Sequence, residues 1–169
     1  MYQVQELAHI LLQKNWRIAT AESCTGGLVA ATFTELAGSS DWFERGYITY
    51  SNQAKVHDIH VPENLIMSYG AVSTEVAQAM ALGTLKAANA DVSLSITGIA
   101  GPTGGSTEKP VGYVCFAWAI KYPNEVKCIT QSMHFLEKHV EVTESTRQQV
   151  RLMACAHAIN HLVEILKNS

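Results

Sequence analysis

Apolar residues at Val4, Leu7, Ala8, Leu11 and Leu12 recur at the three-to-four spacing of one helix face, and this predicts an amphipathic helix over residues 2–14. The pattern then alternates. Residues 16–21 read as a strand, 26–37 as a helix, 46–50 as a strand and 92–97 as a third strand. Residues 51–55 look like a helix start, and a long helix is predicted over 73–90, with Ser73 as its cap and Glu75 in its first turn. The Gly- and Pro-rich stretch 98–110 leads into two more strand patterns, 111–120 and 126–135, joined by Lys121-Tyr122-Pro123-Asn124 as a β-hairpin. A closing helix, roughly 144–167, carries Val150, Met153, Ala154, Ile159, Leu162, Val163 and Leu166.

This rhythm predicts an α/β fold in three layers, α/β/α: a mixed, mostly parallel sheet with helices on both faces and an antiparallel hairpin added to it. A chain of 169 residues, 47% of them hydrophobic, suits one core, so residues 1–169 are expected to form a single domain. The formal net charge of -3, with Lys and Arg scattered, argues against a nucleic-acid groove. No apolar run reaches membrane-span length and no secretory leader pattern opens the chain, so the expectation is a cytoplasmic protein without a membrane partner. Cys24, Cys115, Cys128 and Cys155 show no CxxC spacing, which argues against structural zinc. Cys115 and Cys128 fall on neighbouring predicted strands, yet a reducing compartment disfavours their pairing.

In open α/β sheets, ligands gather beyond the carboxyl ends of the strands. Three polar segments stand there: 22–27, 51–55 and 98–105. In the first, Ser23 lies at a strand-to-helix turn, where free N–H groups and the helix dipole favour negative charge, so it is a candidate nucleophile or anion ligand. A serine needs a base. Lys55 is the leading candidate if desolvation lowers its pKa, and Tyr50 is a candidate proton carrier, although either can equally be an ordinary surface or packing residue. Cys24 reads better as a small buried thiol than as the nucleophile. Ala21 and Thr25 occupy the glycine positions of a G-x-S-x-G elbow, and the 98–105 loop lacks the lysine of a Walker A motif. That loop has little side-chain bulk and can bring backbone N–H groups close to a phosphate. His57 with His60, and His157 with His161, lack the further ligands a metal needs, and no metal is expected. Arg147 and Arg151 lie one turn apart, where they meet a phosphate or face solvent.

Four stretches carry a resemblance: Thr20-Ala21-Glu22-Ser23-Cys24-Thr25-Gly26-Gly27, Tyr50-Ser51-Asn52-Gln53-Ala54-Lys55, Gly70-Ala71-Val72-Ser73 and Thr97-Gly98-Ile99-Ala100-Gly101-Pro102. In order and spacing, from about residue 5 to residue 120, they closely resemble the CinA C-terminal domain family, the nicotinamide-nucleotide amidases. The resemblance implies a cytoplasmic hydrolase, without metal or cofactor, that removes ammonia from the carboxamide of nicotinamide mononucleotide in pyridine-nucleotide salvage. Matched position by position, it implies Ser23 as nucleophile, Lys55 as general base and Tyr50 as an assisting hydroxyl, with N–H groups after Ser23 holding the oxyanion. It further implies substrate contacts from Thr25, Gly26, Gly27, Asn52, Thr97, Gly98, Gly101, Gly104, Gly105 and Arg147, and a homo-dimer or tetramer. Two features depart from the family: Ser145-Thr146-Arg147 stands where members often carry Gly-Asp-Arg, and the charged segment 137–144 is longer. The competing expectation is a non-catalytic nucleotide-binding or partner-binding module of the same fold.

Overall fold

In the computed structural model, which describes residues 3–136 and 141–168, the first helix, α1, spans Val4–Lys14 and buries Val4, Leu7, Ala8 and Leu11. Position 2 of the predicted helix lies outside the described residues, as do positions 137–140 of the charged segment. Asn15 ends α1 in the left-handed conformation, and its N–H closes the last turn.

The remaining elements follow as β1 (Ile18–Glu22), α2 (Leu28–Thr34), a short 3-10 turn, β2 (Phe43–Ile48), α3 (Asn52–Ile59), α4 (Glu63–Tyr69), α5 (Thr74–Ala87), β3 (Val92–Gly98), β4 (Tyr113–Lys121), β5 (Val126–His134) and α6 (Glu144–Lys167). Ser73 caps α5 as expected, its hydroxyl accepting the Val76 N–H at 3.2 Å. Helix α4 was not foreseen, although Pro62 and Glu63 at its start are ordinary helix-opening residues. Strand β2 begins three residues earlier than predicted, because Phe43 packs edge-on to Phe33.

The strands are ordered β2-β1-β3-β4-β5. β1 pairs in parallel with β2 and with β3, while β3–β4 and β4–β5 are antiparallel. Among the described residues, four of the five strands therefore point one way and β4 alone is reversed, which is the mixed sheet with an added hairpin that the pattern predicts. The chain leaves β1 through α2 towards β2, then returns through α3, α4 and α5 to β3 on the other side of β1. The carboxyl ends of β1 and β3 are thus a topological switch point, where a crevice opens.

Alternation along the strands divides the core. Ile18, Leu94, Ile96, Phe116 and Trp118 pack with α1, α2 and α6, whereas Ala21 and the alanines of β4 pack under α3, α4 and α5. Cys115 is registered opposite Ser132, and Cys128 opposite Ala119, so the two thiols are not cross-strand partners and both are free.

Candidate functional site

β1 ends at Glu22, and the chain turns at once through Ser23, Cys24, Thr25 and Gly26 into α2. The Ser23 N–H donates to the Ile96 carbonyl at 2.9 Å, which ties the turn to the neighbouring end of β3. Gly26 and Gly27 have φ of 59° and 95°, and this left-handed pair lets the backbone double back in so few residues. Ser23 is buried, and only 9% of it remains exposed.

Ser51 caps α3, accepting the Ala54 N–H at 3.0 Å, and this fixes the first turn so that Lys55 points back under the end of β2. Lys55 is 1% exposed. Its Nζ lies 3.2 Å from Ser23 Oγ and donates to the carbonyls of Thr49 at 2.8 Å and Tyr50 at 3.3 Å. Two N–H bonds on carbonyls leave the remaining tetrahedral position of the amine facing the serine hydroxyl. In the neutral amine that position is a lone pair, able to accept the Ser23 proton. Burial lowers the Lys55 pKa from the ordinary lysine value to about 8, with the neighbouring Cys24 thiol opposing the shift. Burial also pushes the Cys24 thiol up to about 12, so this cysteine is a protonated core residue, as its sequence context suggested.

Tyr50 is 61% exposed, and its hydroxyl accepts from Arg147 Nη2 at 3.4 Å. The contact that Tyr50 makes with Lys55 is through its main-chain carbonyl. The free helix N-terminus expected beside Ser23 is replaced. The buried Glu22 carboxylate accepts the N–H groups of Gly27 at 3.1 Å, Val29 at 3.1 Å and Ala30 at 2.9 Å. Gly26 and Leu28 donate to the Ser23 and Thr25 carbonyls. Among the described residues, the Cys24 and Thr25 N–H groups are left without such acceptors, and they follow the nucleophile directly.

Two arginines of α6 join the loops. Arg151 donates to the Thr25 carbonyl at 2.9 Å, and Arg147 donates to the Gly101 carbonyl as well as to Tyr50. The three polar segments at the strand ends therefore meet, two through the Ser23–Lys55 contact and the third through Arg147. Where family members often carry aspartate, Thr146 accepts the Thr143 N–H at 2.8 Å and holds the start of α6, keeping Arg147 in register.

Gly104 and Gly105 line a cleft of about 620 Å³ with Thr103, Ser106, Val111 and His134. Gly101 lies beside it with its carbonyl on Arg147, while Gly98 packs so tightly on Val114 that an added Cβ would fall 2.8 Å away. Thr97 commits its hydroxyl to the Ala71 carbonyl at 2.8 Å, and Asn52 opens onto a separate, smaller cleft with Val56, His57 and Met67. Thr25 is fully buried, and its hydroxyl has no hydrogen-bond partner among the described residues. His157 and His161 stack on each other at 5.5 Å, with His157 on Gln131 and His161 on Glu164. Arg151, expected to meet a phosphate or face solvent, instead ties α6 to the Ser23 turn, and Glu22 has a structural task that the sequence pattern did not assign. For Glu22 the available signal was a carboxylate a few residues ahead of a helix start.

A family model described as the CinA C-terminal domain matches residues 2–166. A protein of Enterobacter agglomerans named nicotinamide-nucleotide amidohydrolase PncC is 46% identical over 164 residues, covering 96% of this chain and 93% of that protein. The protein of the same name from Escherichia coli K12 is 55% identical over 115 residues, 68% of this chain and 70% of its own length. Relatives named CinA-like protein are longer, and the chain spans only 33% to 36% of them. Among solved structures, a competence-damaged protein (CinA) superfamily member from Escherichia coli superposes with a TM-score of 0.85 at 34% identity, over 96% of this chain and 87% of that one.

Proposed function

The chain belongs to the CinA C-terminal domain family, and from that membership we propose that it is a nicotinamide-nucleotide amidohydrolase, converting nicotinamide mononucleotide to nicotinate mononucleotide and ammonia. The observation that carries the reading is the buried Lys55 amine 3.2 Å from Ser23 Oγ, with its other contacts made to carbonyls.

Ser23 Oγ attacks the carboxamide carbon as its proton passes to neutral Lys55, and the new oxyanion accepts from the Cys24 and Thr25 N–H groups. Lys55 returns that proton to the departing nitrogen, and ammonia leaves an acyl-serine. Water then attacks the ester, Lys55 takes its proton and returns it to Ser23 Oγ as the acyl bond breaks, and the carboxylic acid released loses its own proton to give the carboxylate product. Each oriented oxyanion donor is worth about 2.7–4 kcal/mol in such a transition state. The nucleotide portion extends past Arg147 into the cleft at Thr103–Thr107, where closely spaced backbone groups and small side chains suit a phosphate. The reaction serves pyridine-nucleotide salvage in the cytoplasm. Val126 and Ile129, exposed on edge strand β5, support assembly into a homo-oligomer.

The test is ammonia release from nicotinamide mononucleotide, with nucleotide binding measured in parallel by calorimetry. The parent releases ammonia, and Ser23→Ala binds the nucleotide while release falls by about 10⁴-fold or more. Unchanged release in that variant removes Ser23 as the nucleophile. Tight binding with no release from the parent favours a non-catalytic binding module.

A further inference from the structure

Glu22 is 1% exposed and lies immediately before the proposed nucleophile, and its carboxylate receives three N–H groups from the start of α2. These donors open the helix that follows the proposed nucleophile, and a side chain of the same turn takes all three. Both strands of the turn are consequently fixed: Glu22 holds the N–H groups of Gly27, Val29 and Ala30, while Arg151 holds the Thr25 carbonyl from the far side. Between these grips lie Ser23 Oγ and the N–H groups of Cys24 and Thr25, which meet no carbonyl or carboxylate among the described residues.

The proposed reaction turns a neutral carboxamide into a carboxylate at this turn. A buried carboxylate one residue from the nucleophile repels a second carboxylate formed at that turn, and so disfavours the anionic product relative to the neutral substrate.

We propose that Glu22 is a positioning residue that shapes the Ser23–Thr25 turn through α2, and that its charge makes the site favour the amide substrate over the carboxylate product. The inference rests on the amidohydrolase reading above.

The experiment measures kcat and KM for nicotinamide mononucleotide in Glu22→Gln and Glu22→Asp. Each substitution is also placed in a Ser23→Ala background, where calorimetry compares binding of nicotinamide mononucleotide with binding of nicotinate mononucleotide. Glu22→Gln is expected to lower kcat about 10- to 100-fold with little change in KM, because the turn shifts while the nucleotide contacts remain. Its affinity for the carboxylate rises about five- to tenfold relative to the amide as the repelling charge is removed. Glu22→Asp keeps the charge but withdraws it, so kcat falls while the amide-to-carboxylate preference stays as in the parent. A merely structural role would move both affinities together. Parallel changes, or none, in a variant that melts cooperatively overturn the proposal, and so does full kcat in Glu22→Asp if Glu22→Gln fails to fold. Absence of ammonia release from the parent overturns the amidohydrolase reading along with this inference, whereas release with an unaltered preference in Glu22→Gln overturns the inference alone.

Discussion

Under α1, α2 and α6 the sheet presents Ile18, Val92, Leu94, Ile96, Val114, Phe116, Trp118 and Ile120, whereas under α3, α4 and α5 it presents Ala19, Ala21, Ser93, Ser95, Cys115, Ala117 and Ala119. The first face buries large side chains, each worth about 1.5–3 kcal/mol. The second brings backbones close together. Ser93 and Ser95 donate to the Ala81 and Ala77 carbonyls of α5 at 2.7 and 2.6 Å, and α5 in turn meets α3 at Gly83, where an added Cβ would stand 1.9 Å from the Ile59 carbonyl. The buried amine of Lys55 belongs to this second face. One side of the sheet therefore supplies most of the apolar burial, and the other supplies the precise helix placement on which the proposed chemistry depends.

Lys55→Met is the sharpest way to test that division. Ammonia release is expected to fall about 10²- to 10⁴-fold with the loss of the base. Stability moves the other way at neutral pH. The folded Lys55 pKa, about 8, lies below its unfolded value, so the cost of burying the charged amine is fully present below pH 8 and is lost as pH rises towards the unfolded value. Lys55→Met is then more stable than the parent at pH 7 by up to about 3 kcal/mol, and the gain shrinks at pH 10, as denaturant titration at the two pH values would register. The same shift makes parent turnover climb through pH 8 and level off above it.

Phe116→Ala, on the large-residue face, is expected to cost about 3–5 kcal/mol in urea unfolding while leaving turnover per folded molecule intact. A loss of turnover comparable with that of Lys55→Met would break the comparison. Gly83→Ala must push α5 from α3, costing about 1–3 kcal/mol and displacing Lys55 from Ser23. A drop in turnover larger than its stability loss explains would mark the small-residue face as the one that controls geometry. The mildest change, Ser95→Ala, removes one hydrogen bond and is expected to cost about 1 kcal/mol, measurable as a small shift of the urea midpoint.

Much of this architecture was legible in the chain. The 3.6- and 2-residue periods placed five strands and the long helices, because burying one face of an element imposes that period on its residues. Residues 63–69 escaped because a helix of two turns offers too few repeats to reveal a period. At the site, the serine and lysine could be nominated from motif and position, since each follows a strand end. The direction of the Tyr50 ring was not legible, because the sequence specifies a phenol but not where it points, and the turn after β2 sends that ring outward to Arg147.

What the sequence determined by itself is the order of the elements, the small-residue strands and the polar segments at their ends, all of which follow from local propensity and burial period. Only the tertiary structure decided that Glu22 fills the start of α2, that Arg147 and Arg151 join separate loops, and that Lys55 loses its solvent. The physical reason is that hydrogen-bond partnership and desolvation depend on distances between residues far apart in the chain, and no local pattern encodes those distances.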